Sequence, residues 1–333
     1  MKNLFKNIAL FALCISVVSC SDDENTSPQQ SIADIAISNA DFSILETALT
    51  RTNLVATLDG SALYTVFAPT NDAFNRFFES LGSDVTVDNV NVNVLKGILL
   101  NHVVSTKITS NLIPAATYVP TLSPINSTPT SPTISLFVQK EGAIVTLNGG
   151  IDSKGAVVTT ADVEASNGVI HIVNRVIQIP TLVDHVIDNP EFNTLQTVVT
   201  GDDQSAVLSA LNGLTAAEPA TLFAPNNAAF TTALGVGGFA NGASAAQVTK
   251  VLQYHVTVAG NVRSNQLSNN QVVPMITNPV QNTTIILGTG TVDIRDTATN
   301  LSRVFQADIQ ASNGVIHGVN RVLQPTFDAV AVE

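Results

Sequence analysis

The chain of 333 residues has no tryptophan, three tyrosines, two cysteines and few charges, 12% in all. Two cysteines cannot build a disulfide framework, nor a thiolate zinc site without other ligands, so no metal and no cofactor is expected. Basic residues are the scarcer charge: 14 Lys plus Arg stand against 26 Asp plus Glu, a formal net charge of -12 with a pI near 4.7. That balance repels a phosphate backbone and argues against nucleic acid as a partner. The motifs of catalysis are missing too, with no HExxH for a zinc hydrolase and no GxSxG elbow for a serine hydrolase. Gly235-Val236-Gly237-Gly238 looks like a phosphate loop, yet no Gly-Lys-Ser/Thr follows it, and a flexible loop explains it better. Asp22-Asp23-Glu24 and Asp202-Asp203 lack the glycine-bearing pattern of a calcium loop and read as solvated. What the chain does have is apolar mass: 45% hydrophobic residues and a mean hydropathy of +0.29, enough for large cores and about two domains of ordinary size.

The first thirty residues read as an address. Lys2 and Lys6 precede an apolar run from Ile8 to Val18, the layout of a signal peptide over residues 1–19. The run is too short for an ordinary spanning helix, and no other stretch is long and apolar enough to be one. Val17-Val18-Ser19-Cys20 resembles the lipobox of bacterial lipoproteins, in which the cysteine becomes the first mature residue and carries lipid. At ~0.8 kcal/mol per buried CH₂, two or three acyl chains on Cys20 make a stable anchor and the only expected contact with a membrane. Residues 20–30 form an acidic tether that resembles the surface-export signal of Bacteroidetes-type lipoproteins. The expectation is an outer-membrane lipoprotein facing outward, with the periplasmic face as the alternative. Cys14 leaves with the signal and Cys20 is lipidated, so each domain is held by packing alone.

A tandem duplication defines the domains. Ala165 to Val176 (ASNGVIHIVNRV) and Ala311 to Val322 (ASNGVIHGVNRV) share eleven of twelve residues. Upstream, Thr65 to Phe74 matches Thr221 to Phe230, and Leu99 to Val103 matches Leu252 to Val256, in the same order. The period of about 150 residues is far longer than a solenoid repeat, so each copy is a self-sufficient domain, 31–180 and 181–329. They join near Pro180, and so short a linker predicts restricted motion. In each copy a short apolar strand ends at proline, and Thr70 or Asn226 caps the helix that follows, with Asp72 in its first turn. Ser244 and Gln247 form a capping box, and Asp88 is the expected cap of the equivalent helix in the first copy. Asn167-Gly168 and Asn313-Gly314 predict hairpins with type I′ turns. Beyond the first of these, Val169, His171, Val173 and Ile177 share one strand face and Ile170, Ile172 and Val176 the other, predicting a covered central strand. Five prolines between Pro114 and Pro132 predict a loop or a sheet edge. Each domain is α+β, with helices early and a β-sheet closing late.

TVFAPTNDAF, then Asn101-His102 or Tyr254-His255, then NGVIHxVNRV match in order the first block, the Tyr-His motif and the second block of fasciclin-like (FAS1) domains. The resemblance covers nearly the whole mature chain, twice. It implies a β-sheet wedge with helices packed alongside and a role in adhesion or extracellular interaction, without catalysis. It also makes the Tyr-His positions an expected interaction surface, best kept in the second domain because Asn101 replaces the tyrosine in the first. Taken as residues alone, the matched pairs His102 with His255 and His171 with His317 read as structural, bonding backbone groups, with a metal or acid/base pair as the other reading. Arg175 and Arg321 read as structural also, and His185, whose counterpart is Ile35, as incidental. Asp296-Thr297-Ala298 is similar to a short O-glycosylation acceptor. The expected function is that of a cell-surface adhesion module whose partner is an extracellular protein or polysaccharide. The alternative is a glycan- or matrix-binding lipoprotein serving an uptake system, disfavoured by the scarcity of Trp and Tyr.

Overall fold

The computed structural model describes residues 29–128, 130–234 and 243–327. The signal peptide, Cys20, nearly all of the tether, the glycine run 235–238 and the last two residues of the second domain lie outside the described residues. Among the described residues no helix is long and apolar enough to cross a membrane.

In the first copy three helices, α1 (Ile32–Ser38), α2 (Ser43–Arg51) and α3 (Val55–Leu58), precede strand β1 (Tyr64–Pro69). Helices α4 (Asn71–Leu81) and α5 (Val92–Asn101) follow, then β2 (Val103–Val104), β3 (Ala116–Pro124), β4 (Thr133–Glu141), β5 (Ile144–Leu147), β6 (Ala156–Ala165) and β7 (Gly168–Val173). These seven strands close into a barrel, with β1 parallel to β7 and antiparallel to β2. The second copy repeats the order with α6 (Leu182–Asp188), α7 (Asn193–Val199), α8 (Ser205–Asn212), β8 (Ala220–Pro225), α9 (Asn227–Leu234) and α10 (Ala245–Gln253). Its sheet adds β9 (Val256–Thr257), β10 (Val272–Pro274), β11 (Asn282–Gly288), β12 (Thr291–Arg295), β13 (Leu301–Ala311) and β14 (Gly314–Val319).

Each domain has two apolar cores, one on either face of its parallel pair. Ile170 and Val176 face the helices, packing with Phe42, Phe74 and Leu95, while Val173 and Ile177 face the barrel interior with Leu136 and Leu147. The second domain divides in the same way, Ile316 and Val322 on the helix side, Val319 and Leu323 on the other. The period-2 alternation of the last strand is therefore apolar on both faces because both faces are covered, as the sequence predicts.

Local chemistry follows the sequence at most helix starts. Thr70 accepts from the Ala73 N–H (3.3 Å), Asn226 from the Ala229 N–H (2.9 Å), and Ser244 and Gln247 form their capping box. Three expectations change. The cap of α5 is Asn91, accepting from the N–H groups of Asn93 and Val94, because Asp88 lies in the preceding turn. The proline-rich stretch contains β3, which joins β2 through the single pair Val104 and Thr121. Proline is tolerated there because so short a contact asks for few N–H donors on that side.

The hairpins form, but not with type I′ turns. Their turn residues are Ser166-Asn167 and Ser312-Asn313, closed by the pairs Ala165 with Gly168 and Ala311 with Gly314. Neither asparagine has positive φ; each glycine does, at 154° and 157°. The asparagines instead work through their side chains. Asn167 Oδ1 accepts from the Ile32 N–H (2.9 Å) at the start of α1, and its Nδ2 donates to the carbonyls of Leu58 (2.6 Å) and Gly60 (2.8 Å). Asn313 repeats this with the Leu182 N–H and the Leu211 carbonyl.

Candidate functional site

The Tyr-His positions end α5 and α10. Asn101 and Tyr254 are 0% exposed, His102 and His255 2%, so none of the four side chains presents a surface. That overturns their expected role as an interaction surface: the motif is internal. Each histidine donates from Nδ1–H to the carbonyl four residues back, Ile98 or Val251, at 2.7 Å. Its Nε2 accepts from the N–H of the chain leaving the sheet, Ile177 or Leu323, at 2.9 Å. The ring thus ties a helix end to the end of the domain. Burial lowers the pKa of both to about 4, against a smaller opposing effect of the carbonyl bond. Tyr254 fills the interior beside Phe223 and Met275 and donates its hydroxyl to the Asn282 carbonyl (2.7 Å), and burial pushes its pKa up to about 12. Asn101 replaces this with Nδ2 bonds to the Ile177 (3.3 Å) and Gln178 (3.2 Å) carbonyls.

His171 and His317 lie on β7 and β14, stacked on Phe67 and Phe223. They hold the reverse tautomer. Nδ1 accepts from the Asp162 or Asp308 N–H, while Nε2–H donates to the Ile108 or Val262 carbonyl at 2.9 Å. Asp162 and Asp308 sit at φ 61° and 62°, at register shifts in β6 and β13. Their carboxylates accept from both the N–H and the hydroxyl of Ser110 and Ser264. Burial, the largest single influence, raises the pKa of Asp162, but the two Ser110 bonds together with the nearby His171 and Lys140 outweigh it and hold the carboxyl below its ordinary range. These serine–aspartate clamps were not singled out from the sequence. Their signal was present in the matched Ala161-Asp162 and Ala307-Asp308, just upstream of the long repeated block.

Both nitrogens of all four matched histidines are therefore occupied by backbone groups, which leaves no lone pair for a metal and no proton to exchange with a substrate. Among the described residues no group of three His, Cys, Asp or Glu is placed to hold a metal ion. Arg175 and Arg321 make no ion pair among the described residues; Arg321 serves through its backbone, which bonds Ser302 Oγ in both directions. Thr297 is exposed, with its hydroxyl donated to the Gln324 carbonyl (2.7 Å).

His185 is not incidental. It is buried in a polar seam between the domains, edge-on to Tyr118 at 5.4 Å, and Tyr118 in turn packs on Phe137 at 4.8 Å. The Tyr118 hydroxyl accepts from Asn189 Nδ2 (3.2 Å), Ser135 Oγ accepts from the Gln310 N–H (2.9 Å), Ser153 Oγ donates to Asp188 (2.5 Å), and Lys154 pairs with Asp184 (2.9 Å). Burial lowers His185 to about 4, raises Asp188 to about 7 and pushes the Tyr118 hydroxyl well above its usual value. The repeat did not reveal this seam: Asp184 and Asn189 match Asp34 and Asn39, but His185, Asp188 and Gln310 stand where the first copy has Ile35, Ser38 and Glu164.

A family model described as "Fasciclin domain" matches residues 40–180 and 190–325. The uncharacterized protein sll1735 of Synechocystis sp. is 34% identical over 146 residues, 44% of this chain and 96% of that protein. Protein sll1483 of the same organism is 31% identical over 187 residues, 53% of this chain and 94% of its own length. Among solved structures, a FAS1 domain pair from the insect cell adhesion molecule Fasciclin I aligns with a TM-score of 0.52 at 18% identity, covering 84% of this chain and 95% of that one. The repeated blocks, the seven-stranded sheets and these matches agree that the chain belongs to the fasciclin domain family, carrying two such domains in tandem.

Proposed function

We propose that the protein is a non-catalytic adhesion or extracellular interaction module, anchored in the outer membrane by lipid on Cys20 and facing outward on its acidic tether. Its partner is an extracellular protein or polysaccharide. One observation supports the reading above others. The polar side chains shared by the two copies, from Asn167 and Asn313 to the four matched histidines, are turned inward and saturated by backbone groups. Recognition is then left to surface residues, which a rigid pair of domains can present without any reactive group. The adhesion molecule whose domain pair the fold resembles supplies the class of function. The anchor rests on Lys2, Lys6, the apolar run and Cys20, and the outward direction on Asp22, Asp23 and Glu24.

The test compares cells carrying the chain with cells carrying Cys20→Ser. Expected are membrane retention and protease accessibility on intact cells for the first, and release for the second, together with binding of the first to at least one of a panel of immobilised matrix proteins and polysaccharides. Unchanged retention of Cys20→Ser removes the anchor. Protease protection on intact cells moves the protein to the periplasmic face, and an accessible protein that binds nothing on the panel counts against adhesion.

A further inference from the structure

One end of the first domain's barrel opens wider than the equivalent place in the second. Where the turn 108–114 crosses the end of the barrel, a cavity of about 250 Å³ lies between Phe67, Ile108, Leu112, Val119 and Val138, with Thr117 as the one polar lining side chain. The corresponding place in the second domain, below Phe223, Val262 and Leu267, holds about 40 Å³. The two mouths are built alike, since each histidine bonds the same carbonyl and each serine–aspartate clamp fixes the same turn. They differ in the residues set on that frame. Leu112, 65% exposed at the rim, corresponds to Gln266 at the end of the equivalent turn. Counting back from the hairpins closed by Glu141 with Ile144 and by Gly288 with Thr291, Lys140 corresponds to Leu287.

Lys140 stands two residues beyond Val138 on β4, hence on the same face as the cavity wall. Its Nζ donates to the Ser110 carbonyl (2.7 Å), which places the ammonium over the turn that frames the opening. An ammonium has three donors, so two remain for a ligand. The nearby acid, Asp162, takes its hydrogen bonds from Ser110 and none from Lys140, although the Lys140 charge attracts it, and Lys107 is already paired with Glu164. Apolar walls with one cation at the rim match an aliphatic chain ending in a negative charge. We propose that this mouth is a binding site for an aliphatic carboxylate, its chain between Phe67 and Val138 and its head on Lys140. A space of about 250 Å³ holds on the order of eight groups the size of a water molecule, enough for most of a ten-carbon chain.

The test titrates the full chain with decanoate below its micelle concentration, by calorimetry and backbone amide shifts. Expected is saturable one-site binding, with shifts in residues 108–119 and 136–140 and none at the equivalent mouth of the second domain. Lys140→Met is expected to weaken decanoate about tenfold, the size of one charge-assisted hydrogen bond, while decan-1-ol binds both forms equally. Leu112→Asp, at an exposed position that the fold does not depend on, is expected to abolish decanoate binding by like charge. Non-saturable partition, equal shifts at both mouths, or decanoate affinity unchanged in a folded Lys140→Met or Leu112→Asp overturns the proposal.

Discussion

At Gly168 an added Cβ would stand 2.0 Å from the Tyr64 carbonyl oxygen, and at Gly314 2.2 Å from that of Ala220. Each glycine is paired with that same residue at the start of the parallel ladder, so the backbone cannot retreat without opening β1 from β7 or β8 from β14. Gly168→Ala is expected to destabilise the first domain by about 3 kcal/mol or more, read as a lower denaturant midpoint for its unfolding. A loss under ~0.5 kcal/mol would mean that the ladder has slack and that the glycine is not required for the close approach. The asparagine before it illustrates a different limit of sequence reading. Asn-Gly announces a hairpin, but the asparagine's partners are the Ile32 N–H and the Leu58 and Gly60 carbonyls, 107 to 135 residues away. They belong to the start of α1 and to the chain at and beyond the end of α3, which no local pattern contains.

Helix ends show what local chemistry does reveal. A cap bonds within three residues of itself, so Thr70, Asn226 and the Ser244–Gln247 box were legible as written. The choice between Asp88 and Asn91 was not, because both suit the role by type and only the backbone at residue 91, with φ -57° and ψ 124°, turns an oxygen onto Asn93 and Val94. Asn91→Ala is expected to cost about 1 kcal/mol and Asp88→Ala less than ~0.5 kcal/mol, measured side by side by chemical denaturation. The reverse order would restore Asp88 as the cap. Strand β3 was hidden for a related reason: proline's penalty depends on whether a neighbouring strand asks for its N–H, and here β2 meets β3 at one residue pair. The central strand, by contrast, was readable on both faces, since apolar residues on each side of β7, with His171 the one polar side chain, leave no face to turn to water. The histidines divide likewise. Their structural role followed from position in helix end or apolar strand, while their tautomers and the burial of Tyr254 needed the packed sheet.

Across the whole molecule the buried ionisable groups make stability depend on pH in a direction that can be worked out. His102, His185 and His255 have folded pKa values of about 4 against an ordinary 6.5, so between those limits the unfolded chain binds more protons than the folded one. Their contribution is complete above about pH 6.5 and is lost as pH falls toward 4, with a slope approaching ~1.4 kcal/mol per pH unit for each. Asp188 in the domain seam acts in the opposite sense. Its folded pKa is about 7 against 3.8, chiefly from burial, so the folded state holds the extra proton and acidification through this range favours folding. Burial also lowers His171 and His317, so five histidines against one carboxyl leave a net loss of stability on going from pH 6.5 to pH 4. Asp188→Asn keeps an acceptor for the Ser153 hydroxyl and removes the buried charge, so it separates the two effects. It is expected to raise the unfolding temperature at pH 8, where the native carboxylate is ionised, and to change it little at pH 5, where that carboxyl is already protonated. The same variant therefore steepens the acid-side decline. An unfolding-temperature difference from the native chain that is the same at pH 8 and pH 5 would mean that the seam hydrates Asp188. The coupling between the domains would then rest on Tyr118, Phe137 and the Ser135–Gln310 bond instead.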